Sequence, residues 1–377
     1  MENKKKILIL FEGQHLAFSP TIKQLYDILS KENSVTVLAQ TSESFIKEKL
    51  TGCEVIYYKV IRKKPTFIYK FYYFLLTFFD AQVSLLRKNG IKFPEYFYRY
   101  RLTKKIIQEG GYDRIIATDL KNLFYCTLFN KKADFVSLEL GPGENLLPLI
   151  NTKLINCVII QSKERLDYLF PQQHLKTFYI QNAPVYKEMN IPPVKKGLLY
   201  GGTAWEPFGF YHCLTYLREY KEETLTVQGA VPLADRKRIN KSYKNLLEEQ
   251  RLIINESYID NDEVVNYFTR FEIGICFYNF AIDWINHFNY LSAPSGKVFK
   301  YLAAGLPVLA VDIPGFQFVK EFECGALVKN LETKTIHAAI LQIRSNYETY
   351  SANALRAAKH FSFDKAVLPY LDFVRTG

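Results

Sequence analysis

Short apolar runs alternate along the first half of the chain with segments in which apolar residues recur at helical spacing. The first helical segment begins at Ser19, a good N-cap residue, and Pro20, which suits the first helical turn. Its apolar face is formed by Ile22, Leu25, Tyr26 and Leu29. Alternation of this kind indicates βαβ units and a parallel sheet. The predicted strands are Lys6–Phe11, Ser34–Ala39, Glu54–Tyr58, Arg114–Thr118, Phe135–Leu140, Cys157–Gln161 and Thr177–Gln181.

The same pattern starts again after a loop over 182–196, which contains Pro184, Pro192 and Pro193. Because the strands of both halves are largely apolar, we expect sheets covered by helices on both faces. The predicted fold class is α/β, with two Rossmann-like doubly wound domains and a ligand cleft between them at the carboxyl ends of the strands. The predicted strands of the second half are Gly197–Tyr200, Thr224–Gln228, Leu252–Asn255, Ile273–Phe277 and Pro307–Val311.

Composition agrees with two folded domains. The chain has 377 residues, of which 48% are hydrophobic and 23% charged, so it is long enough for two cores and too apolar for a disordered protein. Its six cysteines stand singly, which indicates reduced thiols of a cytosolic protein and argues against a disulfide framework or a zinc site. The basic start, 1–6, precedes an apolar run short enough to be a strand instead of a signal peptide. The longest largely apolar run, 71–79, is about half of the ~20 residues that a membrane-spanning helix needs.

The positive charge is concentrated in one segment, 59–105. This segment has 12 basic and 2 acidic side chains, a balance of +10 where the whole chain has +11, and it also contains 13 Phe or Tyr residues. Such a composition suits docking on an anionic membrane surface. It suits equally well a pair of helices whose aromatic residues pack on the sheet. Nucleic-acid binding is not favoured, because no recognisable nucleic-acid motif accompanies the segment.

Five segments, in order, resemble one family. PSGKVFKYLAAGLPVLAVDIPG (294–315) is similar to the signature of the group 1 glycosyltransferases of the GT-B fold, in which a polar loop leads into a helix, a glycine stop and a strand. GLLYGGTAWEPFG (197–209) and LTVQGA (225–230) resemble the first two strands of that family's C-terminal domain. INESYIDNDEVVNYFTRFEIGICF (254–277) resembles its next strand, loop, helix and strand, and 157–184 resembles the end of its N-terminal domain.

The resemblance implies what the protein does. It implies transfer of a sugar from a nucleotide-sugar to a saccharide or lipid-linked saccharide, in bacterial surface polysaccharide or glycolipid synthesis. The nucleotide-sugar is a co-substrate, so no cofactor is expected. Residues 1–185 become an N-terminal acceptor-binding domain, 186–360 a C-terminal nucleotide-sugar-binding domain, and 361–377 a C-terminal helix packing back on the first domain. We expect a cytoplasmic enzyme, peripheral on the inner face of the plasma membrane if 59–105 binds lipid.

A phosphate site is predicted at the start of the signature helix. Ser295 can cap this helix, and Gly296 and Lys297 follow in its first turn, where the helix dipole disfavours a cation. A bound diphosphate would remove this conflict, because free N–H groups at a helix start bind phosphate. The alternative is a solvated lysine.

Further donor contacts are expected in three loops. Gly201, Gly202 and Thr203 form a turn directly after a strand, which allows a ligand to approach the backbone or is simply a tight turn. By resemblance, Gly229 follows the second strand of the donor domain, and Tyr258 and Ile259 hold the nucleobase.

The chain departs from the family at two positions eight residues apart. Retaining members have glutamates there, whereas this chain has Ser292 and Lys300. The choice between inversion and retention is therefore open, and Lys300 could reach a phosphate or a carboxylated sugar.

The triplet Asp260–Asn261–Asp262 has the spacing of a metal-binding motif. Asp260 with Glu263 also forms a capping-box pattern ahead of an apolar helix face. We favour the capping interpretation and predict no metal site, since ligation would need more converging carboxylates.

The acceptor side is expected in loops of the first half. Gly13, Gln14 and His15 follow the first strand, and Asp119 ends the fourth. An inverting transferase needs a base for the acceptor hydroxyl. The candidates are Glu139, Glu144 and His15, in that order, and each is equally well explained as an ordinary loop or helix-start residue.

Two other functions remain. Lys300, in place of the expected glutamate, would also fit a catalytically silent GT-B-like partner subunit. A UDP-sugar epimerase of the same fold would need acid and base carboxylates on both sides of the sugar.

Overall fold

The computed structural model describes residues 4–11, 19–41, 54–59, 95–140, 144–189, 191, 197–282 and 287–376. The chain divides into two units. Unit 1 comprises Met1–Tyr179 with Phe373–Gly377, and unit 2 comprises Ile180–Asp372. Each unit contains one parallel sheet with flanking helices, which confirms the predicted α/β class.

Unit 1 is built on a seven-stranded sheet of order β3-β2-β1-β4-β5-β6-β7. Its strands are β1 (Lys6–Leu10), β2 (Ser34–Thr41), β3 (Val55–Lys59), β4 (Arg114–Thr118), β5 (Ala133–Val136), β6 (Ile155–Ile160) and β7 (Thr177–Tyr179). Its described helices are α1 (Pro20–Leu29), α2 (Glu95–Glu109), α3 (Asp119–Leu128) and α4 (Lys163–Leu169).

Unit 2 is built on a six-stranded sheet of order β10-β9-β8-β11-β12-β13. Its strands are β8 (Leu198–Gly201), β9 (Leu225–Gln228), β10 (Leu252–Asn255), β11 (Ile273–Cys276), β12 (Val308–Val311) and β13 (Gly325–Val328). The helices are α5 (Phe210–Glu219), α6 (Leu233–Ser242), α7 (Lys244–Glu248), α8 (Asn261–Phe268), α9 (His287–Ser292), α10 (Gly296–Ala303), α11 (Phe318–Glu321), α12 (Thr333–Ser345), α13 (Tyr347–Phe361), α14 (Phe363–Ala366) and α15 (Leu368–Thr376).

The end of α15 belongs to unit 1. Lys5 Nζ donates to the carbonyl of Val374 at 2.7 Å. Arg375 forms an ion pair with Glu32 at 2.8 Å. Phe373 packs its ring on Phe178, with the centroids 5.7 Å apart. The last turn of the chain is therefore part of the first unit's packing.

One strand was misplaced by the sequence analysis, and one was missed. The fifth strand was predicted over Phe135–Leu140 but spans Ala133–Val136, because the amides of Leu138 and Glu139 donate to the Asp119 carboxylate instead of to a strand. Strand β13 was missed, because it is short and starts at Gly325. A Cβ there would lie 2.0 Å from the carbonyl oxygen of Val308, so only glycine fits.

The cysteines behave as core residues. Those at 126, 157, 213, 276 and 324 are free and buried, and burial raises the pKa of each thiol. Cys53 lies outside the described residues. Within the described part of the chain, no helix has both the length and the apolarity to cross a bilayer.

Both sheets reverse their strand order at one point. In unit 1 this point lies between β1 and β4, and in unit 2 between β8 and β11. Open parallel sheets bind ligands beyond the carboxyl ends of the strands at such a switch point. The two switch points are therefore the places to look for a site.

Candidate functional site

The switch point of unit 2 is bordered by a glycine turn. Gly201 ends β8 in register with Gln228. The Gly202 amide donates to the Gln228 carbonyl at 2.9 Å. At Gly229 φ is +150°, and a Cβ there would lie 2.2 Å from the Gly202 carbonyl oxygen. The two glycine backbones thus touch, and Gly202 and Thr203 are exposed beside them. A ligand can approach the chain closely here.

Helix α10 begins on the other side of this switch point. Ser295 occupies its N-cap position with φ −61° and ψ 133°, but its hydroxyl makes no capping hydrogen bond, contrary to the sequence prediction. Gly296 lies against Asn182, so close that a Cβ would be 2.7 Å from the amide nitrogen of that side chain. The helix ends in the predicted glycine stop, where Gly305 has φ +65°.

The side chain of Lys297 lies over aromatic rings. Its Nζ is 4.6 Å from the ring centroid of Tyr200 and 5.7 Å from that of Phe208. Among the residues that the structure describes, no carboxylate forms an ion pair with it. A half-buried ammonium therefore stands in the first turn of a helix, where the dipole opposes it, with ring faces as its contacts. Such a cation is available to an anion.

A polar network fixes the loop after β10. Asn255 Nδ2 donates to Gln228 Oε1 at 2.6 Å, and Gln228 Nε2 donates to the Ser257 carbonyl at 2.8 Å. Beyond it Tyr258 keeps 43% of its surface exposed. Burial, together with the neighbouring Asp260 carboxylate, raises the pKa of the Tyr258 phenol. Ile259 is half-buried against the core of unit 2.

The predicted capping box at α8 does not form. Asp260 occupies the N-cap position, but its side chain makes no capping hydrogen bond. The amides of Glu263 and Val264 instead bond the Asp260 carbonyl, at 3.0 and 2.8 Å. Asp260 therefore starts the helix through its carbonyl, while its carboxylate lies near the Tyr258 phenol.

In unit 1 the carboxyl ends carry acids. Asp119 follows β4 directly with φ +58°, and its Oδ1 accepts from the amides of Leu138 at 3.0 Å and Glu139 at 3.1 Å. The fully buried Arg165 donates to the Leu138 carbonyl at 3.1 Å. These bonds fix the backbone of the loop after β5, on which Glu139 is exposed.

The other acceptor-side candidates differ in their surroundings. Glu144 Oε2 accepts from the hydroxyl of Tyr168 at 2.6 Å, and this bond raises the pKa of the tyrosine. Glu144 thus has Tyr168 as a partner, and Glu139 is an exposed residue on a loop whose backbone is bonded to Asp119. Gly13, Gln14 and His15 lie outside the described residues.

Comparison with known proteins supports a fold assignment. No family model matches the sequence, and no curated protein sequence matches it. Among solved structures, HepE from Anabaena in complex with UDP and glucose is 13% identical, covers 99% of this chain and 100% of its own, and gives a TM-score of 0.65. The pneumococcal O-GlcNAc transferase GtfA with UDP and GlcNAc is 10% identical, with coverage of 100% and 99% and a TM-score of 0.67. The chain has the GT-B fold.

The same fold also hosts other chemistry. A protein described as a UDP-N-acetylglucosamine 2-epimerase from Listeria monocytogenes is 11% identical, with coverage of 93% and 91% and a TM-score of 0.56. The GT-B fold by itself therefore leaves the reaction open.

The two positions at which this GT-B chain departs from the retaining pattern lie on different helices. Ser292 ends α9 and is buried, with its hydroxyl donating to the Phe288 carbonyl at 2.6 Å. Lys300 lies on α10, and burial lowers the pKa of its ammonium group. The serine is thus engaged within its own helix, while the lysine is held in a partly dry environment.

Sequence reasoning missed the residues that fix the site. Asn122 donates to the last carbonyls of β1 and β4, and Tyr301 bonds Gly201 and Ile275. Both lie inside helices, and nothing in the sequence pattern marks Tyr301. A polar residue on an otherwise apolar helix face was the available signal for Asn122.

One cluster away from the switch points has metal-ligand residue types. Glu222, Glu223 and His337 bring ligand atoms within 4.8 Å of one another. However, Glu223 accepts two hydrogen bonds from Arg344, at 2.6 and 3.0 Å, and His337 Nδ1 bonds the hydroxyl of Tyr216 at 3.1 Å. The cluster precedes β9, away from the carboxyl ends of the strands, and serves packing.

Proposed function

We propose that the protein is a glycosyltransferase whose unit 2 binds a nucleoside-diphosphate sugar and whose unit 1 binds the hydroxyl acceptor. The observation that carries the proposal is the ammonium of Lys297, held against ring faces in the first turn of α10 beside the glycine turn. A diphosphate at this place would accept hydrogen bonds from the free N–H groups of the helix start and would pair with the lysine charge. Ser295, Gly296 and Lys297 then hold one end of the diphosphate, and Gly201, Gly202, Thr203 and Gly229 allow its close approach.

The loop after β10 would take the nucleoside. Exposed Tyr258 and half-buried Ile259 present an apolar surface, and the Asn255–Gln228 network keeps the loop backbone in place. UDP is the first nucleotide to test, since HepE and GtfA were solved with UDP. Lys300 would meet a phosphate or an acidic sugar on the same helix.

Glu139 is our first choice for the catalytic base, followed by Glu144 and His15. In an inverting reaction the base removes the proton of the acceptor hydroxyl while that oxygen attacks the anomeric carbon and the bond to the diphosphate breaks. Lys297 and the amides of the helix start would stabilise the negative charge of the departing diphosphate. We therefore expect hexosyl transfer to proceed without a divalent metal. Turnover that is lost in EDTA and restored by manganese would contradict this.

We further propose that the acceptor is a saccharide or lipid-linked saccharide of a bacterial surface polymer, met at the cytoplasmic face of the membrane. The positive charge of segment 59–105 supports this proposal. Most of the segment, 60–94, lies outside the described residues. In the described part, α2 exposes Arg101 and Lys105. Each basic residue near an anionic leaflet contributes about 1 kcal/mol, and salt screens it. Co-sedimentation with anionic but not neutral vesicles, at low salt only, is expected. Equal binding to both would instead favour a soluble acceptor.

A thermal-shift panel of UDP, GDP, CMP and ADP tests the donor assignment. A nucleotide at 100 times its dissociation constant should stabilise the protein by about 2.7 kcal/mol. No shift with any nucleotide would refute the proposal. Incubation with the matching nucleotide-sugar and an added saccharide separates the alternatives. A transferase passes the sugar to the saccharide or to water and releases nucleotide, an epimerase converts the sugar without release, and a silent subunit does neither.

A further inference from the structure

The backbone ladder between β8 and β11 stops short of the site. The two strands pair at Ile273 with Leu198 and at Gly274 with Leu199. Beyond this point one side chain joins them. The amide of Gly201 donates to the Tyr301 hydroxyl at 2.7 Å, and that hydroxyl donates to the Ile275 carbonyl at 3.1 Å. Tyr301 therefore replaces a missing rung of the sheet at the switch point.

The surroundings of the Tyr301 ring fit this role. A Cβ at Gly274 would lie 2.4 Å from the ring, and one at Gly201 would lie 3.0 Å from the hydroxyl. The Phe268 ring packs on it with centroids 5.5 Å apart. Tyr301 is fully buried, and burial holds the pKa of its phenol far above the usual range, so the hydroxyl keeps the proton that it donates to Ile275.

Helix α10 contacts β8 at two consecutive residues. Lys297 and Tyr301 are four apart and so share one face of α10. Lys297 covers the ring of Tyr200, and Tyr301 bonds the amide of the next residue, Gly201. The start of the helix and the start of the glycine turn are thus joined through one helical turn.

We propose that Tyr301 is a positioning residue that holds the glycine turn and the start of α10 in the spacing that a diphosphate needs. The inference rests on the proposed donor site. A diphosphate that contacts both elements depends on their spacing, whereas a monophosphate that contacts one of them does not. Tyr301 therefore governs the preference for diphosphate over monophosphate and not nucleoside binding as such.

Tyr301→Phe removes the hydroxyl and keeps the ring. Tyr216→Phe is the matched control, because Tyr216 is also buried in unit 2 and its hydroxyl bonds His337 away from the glycine turn. Calorimetry with UDP and UMP on the full-length wild type and both variants gives the readout. We expect Tyr301→Phe to weaken UDP binding about tenfold and UMP binding less than about twofold, with Tyr216→Phe changing neither.

Equal UDP affinity of Tyr301→Phe and wild type, or equal losses for UDP and UMP, would overturn the inference. If Tyr301→Phe does not fold, Phe268→Leu provides the test. It removes the aromatic ring that packs on Tyr301 and keeps the Tyr301 hydroxyl. It should lower UDP affinity more than UMP affinity, and an unchanged ratio would be contrary to the inference. A wild type that binds no nucleoside diphosphate overturns the proposed function and this inference with it, whereas binding without a Tyr301 effect overturns only the inference.

Discussion

The two sheets have the same strand order around their switch points, but different residues follow the strands there. In unit 1, β4 passes directly into α3 at Asp119, and Asn122 bonds the last carbonyls of β1 and β4 at 3.0 and 2.8 Å. In unit 2 a long connection separates β11 from α10, and Tyr301 bonds a glycine amide and a carbonyl. Each unit thus has one buried side chain from a helix that bonds the strand ends at its switch point, but only in unit 2 does it extend a strand ladder that stops short.

The residues around the two switch points differ in charge. Unit 1 presents Glu139 on a loop fixed by Asp119, whereas unit 2 presents glycine backbone and the Lys297 ammonium. A carboxylate suits removal of a proton from a hydroxyl, and an ammonium beside free amides suits a diphosphate. The shared topology therefore fixes where a ligand can bind, and the residues after the strands decide which ligand it is.

The largest expected effect tests the acidic side of this comparison. Glu139→Gln should lower kcat by about 10²–10⁴-fold, because an amide cannot accept the acceptor proton, while donor affinity stays unchanged. Glu144→Gln should do less, since its carboxylate is bonded to Tyr168. Initial rates of nucleotide release from the donor give the comparison. Glu139→Gln within tenfold of wild type would remove Glu139 as the base.

The glycine side is tested by a pair of alanine variants. Gly229→Ala should lower the free energy of unfolding by about 3 kcal/mol or more, because its Cβ would meet the Gly202 carbonyl oxygen at 2.2 Å. Gly202→Ala should lower it by only about 1–2 kcal/mol, the strain of its positive φ, since its Cβ would point into open space. Urea unfolding measures both. The reverse order would mean that the turn is not packed as described.

A smaller effect is expected at the ammonium. Lys297→Met keeps an apolar stem over Tyr200 and Phe208 but removes the charge, so affinity for the donor nucleoside diphosphate should fall about tenfold. Lys221→Met, at an exposed lysine ahead of β9, is the control and should bind as wild type does. Isothermal titration calorimetry decides, and equal affinities for both variants would take Lys297 out of the site.

The sequence predicted the strands well because apolar runs mark buried parallel strands. Arg114–Thr118 and Leu252–Asn255 match the structure residue for residue. Helix starts were placed correctly at Ser19, Ser295 and Asp260, yet none of these side chains makes the expected capping bond. A residue type indicates where a helix begins but not which group its side chain hydrogen-bonds.

Sequence patterns could not predict the roles of Asn122 and Tyr301. Asn122 bonds a carbonyl 112 positions away, and Tyr301 bonds an amide 100 positions away. Such contacts depend on strand order, which local periodicity does not encode. The fifth strand was misplaced for the same reason. The amides of Leu138 and Glu139 donate to the carboxylate of Asp119, which is 19 and 20 positions away.

Amide hydrogen exchange with and without a saturating nucleoside diphosphate tests the central claim most directly. We predict slower exchange in 201–204, 229–231 and 295–299 of unit 2, with 137–140 of unit 1 unchanged. Protection confined to unit 1, or saturating nucleotide without protection at the glycine turn and the start of α10, would contradict it.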